Sequence, residues 1–230
     1  MSAQTVTARA ASFRNASGVV SGNTLSFVVP QLDNSGGRIT ANQLDLAATN
    51  LTNAQGSLTQ LGSGVMGMSV SGTLDNSNGG VIQTNSTDLT LAPATLDNDG
   101  GTITHAGTGT LTIDAANGTG AVTNVGGTIV SNGRTALSAG SVNNTGGAIG
   151  GHSGLAATVA GAVDNTRGQL ASNADLDVSS GGALTNTGGT MSATGNSSVQ
   201  AASLTNGGTI TAGQNLDATV AGRLTTAAAR

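Results

Sequence analysis

The chain has 230 residues, a formal net charge of −4 and a pI near 4.7, and only 8% of its residues are charged and 1% aromatic. Cys, Trp, Tyr, Lys and Glu are absent, which excludes disulfides, thiolate metal sites, an aromatic core and a phosphate loop with its lysine. An acidic chain without a basic cluster also lacks the counterion-releasing surface of a nucleic-acid binder, which argues against DNA and RNA as partners.

The opening residues, MSAQTVTARAASF, lack the apolar central stretch of a signal peptide. Met1 therefore reads as the start of a piece of a longer reading frame. No later run approaches the ~18 uninterrupted apolar residues of a transmembrane helix. Two Phe cannot supply the aromatic girdles of a membrane β-barrel, so no membrane insertion is expected.

From residue 13 onward one short unit repeats. An apolar residue stands two positions before an Asn at Phe13, Leu32, Leu51, Leu74, Leu96, Val122, Val142, Val163, Leu184 and Leu204, and before a Thr at Leu224. The partners are Asn15, Asn34, Asn53, Asn76, Asn98, Asn124, Asn144, Asn165, Asn186, Asn206 and Thr226, at intervals of 19 to 26 residues. A second apolar column follows about five residues later: Val20, Ile39, Leu58, Val81, Ile103, Ile129, Ile149, Leu170, Met191 and, one residue early, Ile210. A third, less regular set comprises Leu25/Phe27, Leu44/Leu46, Leu89/Leu91, Leu111/Ile113, Leu137, Leu155, Leu176/Val178, Val199 and Leu216.

Within a unit such as Leu32 to Leu46 the apolar positions alternate with period two and are separated by Asn and Gly clusters that favour turns. The unit reads strand, turn, strand, turn, strand. Three short strands in about twenty residues cannot bury their apolar faces alone, but they can when each winding stacks on the one below. Period and composition therefore predict an all-β fold, a parallel β-helix of ten to eleven coils of roughly 21 residues, with residues 1–230 as a single repeat domain. Helices are disfavoured by the Gly, Asn, Thr and Ser in the intervals. Disorder is disfavoured by apolar columns that stay filled in every copy. Two readings of the Asn column remain open: a ladder of side-chain amides bonded from coil to coil, or a residue chosen because it tolerates a left-handed backbone.

The pattern Leu-Asp-Asn-x-Gly-Gly-x-Ile at Leu32 to Ile39 and Leu96 to Ile103, echoed at Val142 to Ile149 and Leu184 to Met191, resembles the filamentous haemagglutinin repeats. The resemblance covers essentially the whole chain. It departs at Ala54-Gln55-Gly56 and Thr166-Arg167-Gly168, which lose one Gly, at Asn78, which adds a residue, and at Asn206-Gly207-Gly208, which drops one. The resemblance implies a right-handed β-helix in a long surface filament, exported by an outer-membrane two-partner secretion transporter and secreted or held at the bacterial cell surface. Family members include adhesins and the stick-like proteins of contact-dependent growth inhibition, so a receptor on a host or bacterial cell is an implied partner. The segment reads as the middle of such a fibre, a structural or adhesive rod or the shaft of a toxin-delivery protein.

No catalytic, cofactor or metal site is expected. Asp75, Asp97 and Asp99 are the nearest approach to an acid cluster, with a weak Ca²⁺ contact as the alternative to a solvated face. His105 and His152 fall two coils apart and cannot share a metal, and no Ser or Asp pattern completes a triad. Gly62 to Gly67 matches G-x-G-x-x-G but no helix follows it. An Asp33–Arg14 ion pair is expected from their equal positions in adjacent coils. Paired Thr at Thr102/Thr104 and Thr209/Thr211 raise an ice-binding solenoid, against which Arg38, Ala148 and Gln169 break the array. The long intervals Asn53 to Asn76 and Asn98 to Asn124 must bulge outward, the second at Ala115 to Gly120, and such loops are where recognition tends to sit.

Overall fold

A computed structural model describes residues 1–226. Among them every regular element is a strand and every strand pairing is parallel. The chain winds as a β-solenoid, and one path of hydrogen-bonded neighbours runs through eleven successive strands from Ser2–Arg9 to Thr209–Ala212. At about 4.8 Å per parallel step that path is roughly 48 Å long. Each coil presents three inward-facing segments, one on each of three faces, two of them carried on a single long strand in coils such as that of Arg38–Ala48. The columns read from the sequence are, with one exception, the inward positions of those faces.

On the first face Phe13, Leu32, Leu51, Leu74, Leu96, Val122, Val142, Val163, Leu184, Leu204 and Leu224 stand in continuous register. Stacking like on like at one strand spacing is what a narrow lumen permits. Leu and Ile fill it without the volume of an aromatic ring, and each such side chain contributes about 1.5–3 kcal/mol on burial. The two Phe sit together near the amino-terminal end, with ring centroids 4.8 Å apart.

The second face runs Val20, Ile39, Leu58, Ile82, Ile103, Ile129, Ile149, Leu170, Met191, Ile210. Val81, expected in this column, is displaced by its neighbour Ile82. The residue added at Asn78 lengthens the preceding turn by one, so the alternation arrives one position late and Val81 pairs outward with Ser57 and Thr102.

The third face is irregular for a physical reason. Between the strands Gly67–Val70 and Leu89–Leu91 no ladder forms, and the sheet is interrupted there. The long first interval places Met66, Met68 and Val70 in the core of that coil. Further on, Leu111 stacks on the buried Thr135 and then on Leu155 and Leu176, while Ile113 stacks on Leu137, Ala157 and Val178. The opening residues also belong to the rod, since Ser2–Arg9 pairs with the strand Val19–Val28 and turns Val6 and Ala8 toward the core.

Ile82→Asp should abolish cooperative unfolding or lower stability by several kcal/mol, because it buries an unpaired carboxylate. Val81→Asp, one position earlier, should stay within about 1 kcal/mol. Thermal melts of the two variants check the register: equal losses contradict it.

Candidate functional site

The feature that recurs in every coil is the first corner, directly after the first face. There the Nδ2 of each Asn donates to the Oδ1 of the Asn one coil on, in an unbroken series from Asn15 to Asn206 at 2.7–2.8 Å. Asn34 through Asn186 are fully buried. The second Nδ2 hydrogen is shared by backbone carbonyls. For Asn124 these are Gly127 O at 3.1 Å and Ala148 O at 3.2 Å. No ladder Asn takes a positive φ, so of the two readings of the column the amide ladder is the correct one.

Where a Gly-Gly pair follows the ladder Asn, its two positions serve separate needs. The first position closes the turn in the left-handed region, as at Gly36 with φ 61°, and the same conformation is held by Ser17, Gln55 and Arg167. That explains why one Gly can be lost without loss of the turn. The second position has no room: a Cβ on Gly37 would lie 2.1 Å from Asn15 O and 2.7 Å from Asn34 Oδ1. Glycine there lets the coil close onto the ladder.

Acidic residues beside the ladder close the same turns. Asp75 Oδ1 accepts from Ser77 N at 3.0 Å and Asp97 Oδ1 from Asp99 N at 3.0 Å, and Asp99 Oδ1 accepts from Val125 N at 2.8 Å. Asp75 and Asp97 are register neighbours, and among the described residues no group of three or more His, Asp or Glu is arranged to hold a metal ion. Arg14 and Asp33 pair at 3.2 Å across one coil step. The Ser35 hydroxyl, its backbone N–H and Arg14 hold the Asp33 carboxyl below its ordinary range against a desolvation that raises it. Its contribution is present above the unfolded-state pKa and is lost as pH falls through the folded one, and for so exposed a pair it stays under about 1 kcal/mol.

The second corner carries a polar column that spacing alone did not single out. Gln60, Thr84, His105, Ser131 and Ser172 occupy equivalent buried positions. Each lies two residues after the second apolar column, so strict alternation turns it inward, and that is the signal that could have revealed it. Thr84, Ser131 and Ser172 accept from the backbone N–H two residues on. Gln60 accepts from Leu44 N and donates to Gly62 O and Gly64 O, which fastens the Gly62 to Gly67 loop. That loop runs into a strand, as expected of a chance match to the dinucleotide motif.

His105 Nε2 lies 3.0 Å from both Ser86 O and Thr87 O, and Nδ1 lies 2.8 Å from Ser131 Oγ. Carbonyls only accept, so the network assigns a proton to Nε2. His152 points outward, 2.9 Å from the Asn173 carboxamide, so the two His lie on opposite sides of the wall. On the second face the outward row Arg38, Ser57, Val81, Thr102, Thr128, Ala148, Gln169 holds no continuous Thr array. The third face bears a shallow depression of about 440 Å³ floored by Ala136 and Ala156 and rimmed by Thr112, Arg134 and Thr158.

Fold and site thus define a stacked-repeat β-solenoid whose recurring geometry links each coil to the next. The haemagglutinin-repeat model matches residues 106–188 and 159–229, together more than half of the chain, and the chain belongs to that family, the repeat class of secreted or cell-surface exoproteins. A curated relative, the tRNA nuclease CdiA-2 of Burkholderia pseudomallei (strain 1026b), is 59% identical over 68 residues, which are 29% of this chain and 2% of that protein. The chain therefore spans only a small part of the length of that relative. No solved structure matches.

Gly127→Ala should cost several kcal/mol, since its Cβ would fall 2.1 Å from Asn98 O and 2.5 Å from Asn124 Oδ1. Gly126→Ala meets nothing within 4 Å and should cost only the ~1–2 kcal/mol of a left-handed alanine. Chemical denaturation of both variants checks the separate roles, and a larger loss at Gly126 contradicts them.

Proposed function

We propose that the chain is a shaft module of a two-partner secretion exoprotein, passed through an outer-membrane transporter and holding other domains away from the cell. The observation that carries this reading is the uninterrupted coil register. One ladder and two apolar columns repeat from end to end, and a third, less regular apolar set interspersed with a few polar side chains fills the remaining inward positions. A stack held coil by coil gains length in steps of about 4.8 Å without new chemistry. The relative's name assigns a nuclease to a protein fifty times longer than the shared segment. That supports a toxin-delivery shaft, with the nuclease reaction supplied by another part of the parent protein.

An adhesive role for the same rod rests on the depression floored by Ala136 and Ala156. It would make the third face a shallow contact surface for a receptor on a host or bacterial cell.

In the parent protein, removing residues 124–143 joins Thr123 to Asn144 and deletes one whole coil. Surface display and target-cell effect should persist. Removing residues 124–133 breaks register and should abolish both. Equal behaviour of the two deletions contradicts the spacer reading. Ala156→Arg fills the depression: unchanged cell binding fits a spacer, and lost binding with normal display and melting identifies an adhesive face.

A further inference from the structure

We propose that Asn117–Gly118, at the tip of the 115–120 bulge, is a site of spontaneous covalent modification that converts the neutral turn into an acidic one. The reaction needs only water. The Gly118 backbone nitrogen gives up its proton to solvent and attacks Asn117 Cγ, forming a five-membered imide. The Cγ–Nδ2 bond breaks and Nδ2 leaves as ammonia with that proton equivalent. Water then opens the imide at one of its two carbonyls, leaving aspartate or isoaspartate at position 117. No oxidant or reductant is involved.

Three conditions decide whether an Asn-Gly pair in a folded protein can follow this route: a free carboxamide, a free following N–H, and a peptide plane able to turn. The chain has four such pairs, at Asn78, Asn117, Asn132 and Asn206. At Asn78 the carboxamide donates to Ser77 Oγ at 2.9 Å and the Gly79 N–H is held by Gly100 O at 3.1 Å. At Asn132 the carboxamide donates to Ala106 O at 3.1 Å and the Gly133 N–H to Ser131 Oγ at 3.0 Å. At Asn206 the Oδ1 closes the ladder with Asn186 at 2.8 Å. The related Asp99–Gly100 pair is tied at both groups to the Val125 backbone.

Asn117 differs on all three conditions. It is exposed. Neither its carboxamide, its carbonyl nor the Gly118 N–H has a hydrogen-bond partner among the described residues. The turn is closed around it by Thr119 N and Thr119 Oγ1, both donating to Ala116 O, and is anchored by Ala115 N to Ser138 O and Ala116 N to Pro93 O. With φ 53° at Asn117 and 79° at Gly118 this is a type I′ turn. Rotating the free 117–118 peptide plane converts it to type II′ while Thr119 keeps its bond, and the rotation carries the Gly118 nitrogen toward Asn117 Cγ. The new carboxylate stands three residues from Asp114, so the bulge gains negative charge in a chain already at −4.

The folded protein, incubated at mildly alkaline pH and sampled over days by peptide mass spectrometry with isoaspartate detection, tests this. A gain of about 1 Da should accumulate at position 117. It should do so about tenfold or more faster than at positions 78 and 132, whose two hydrogen bonds must first break. In denaturant the four sites should converge. Equal rates at 78, 117 and 132 in the folded protein overturn the proposal. So does a preference for 117 that persists in denaturant, because the selectivity would then belong to sequence and not to the turn.

Discussion

The rod depends on one constraint: a side-chain amide must meet its copy one strand spacing away, inside the wall, in every coil. A carboxamide both donates and accepts, so a column of Asn satisfies itself without limit and keeps a second N–H for backbone carbonyls, whereas a carboxylate column has acceptors only and a hydroxyl column has a single donor per residue. Burial excludes water as a competing partner, so a slipped coil would leave a donor and an acceptor unpaired at a cost of about 1–3 kcal/mol each. The other features of the first corner follow. The turn presents the carboxamide inward, the second Gly position must lack a side chain to let the coils close, and at several corners a flanking Asp, as at Asp33, Asp75 and Asp164, fastens the turn from outside.

With register fixed at that corner, the rest of each coil has freedom. The first two faces use it little and stack Leu, Ile and Val. The third face and the second corner use it more, and their departures are compensated locally by polar side chains. Gln60 ties down a loop, His105 bonds two carbonyls, and Thr135 donates to Gly150 O at 2.8 Å. Ser197 Oγ, in the column with Leu176 and Leu216, is buried and lacks a partner among the described residues. Outward positions carry no part of this framework, which is why short polar residues, Arg38 and Gln169 can share one row.

Fold class and the first column were legible because each follows from a strict period. Ten Asn at near-constant spacing determine a corner, and alternation around them determines a face. Val81 was misplaced because one inserted residue shifts parity, and a period-two pattern does not show which side of an insertion keeps the old phase. The strand Ser2–Arg9 was missed because it precedes the first Asn and has only Val6 and Ala8 turned inward. The polar second corner was hidden by its variety: Gln, Thr, His and Ser share no identity, only a position two residues after an apolar one. Both long intervals carry exposed residues outward, Leu61 and Ser63 to Val65 in the first and Asn117 and Thr119 in the second, while the first also turns Met66, Met68 and Val70 inward.

Exchange of the Asn side-chain amide hydrogens with solvent, followed by NMR on the folded protein, tests the ladder most directly. Carboxamides of Asn34 through Asn186 should exchange only with opening of the stack, orders of magnitude more slowly than those of exposed Asn85 and Asn117. Ladder carboxamides that exchange as fast as Asn117 would show that water reaches the column, and would contradict the account.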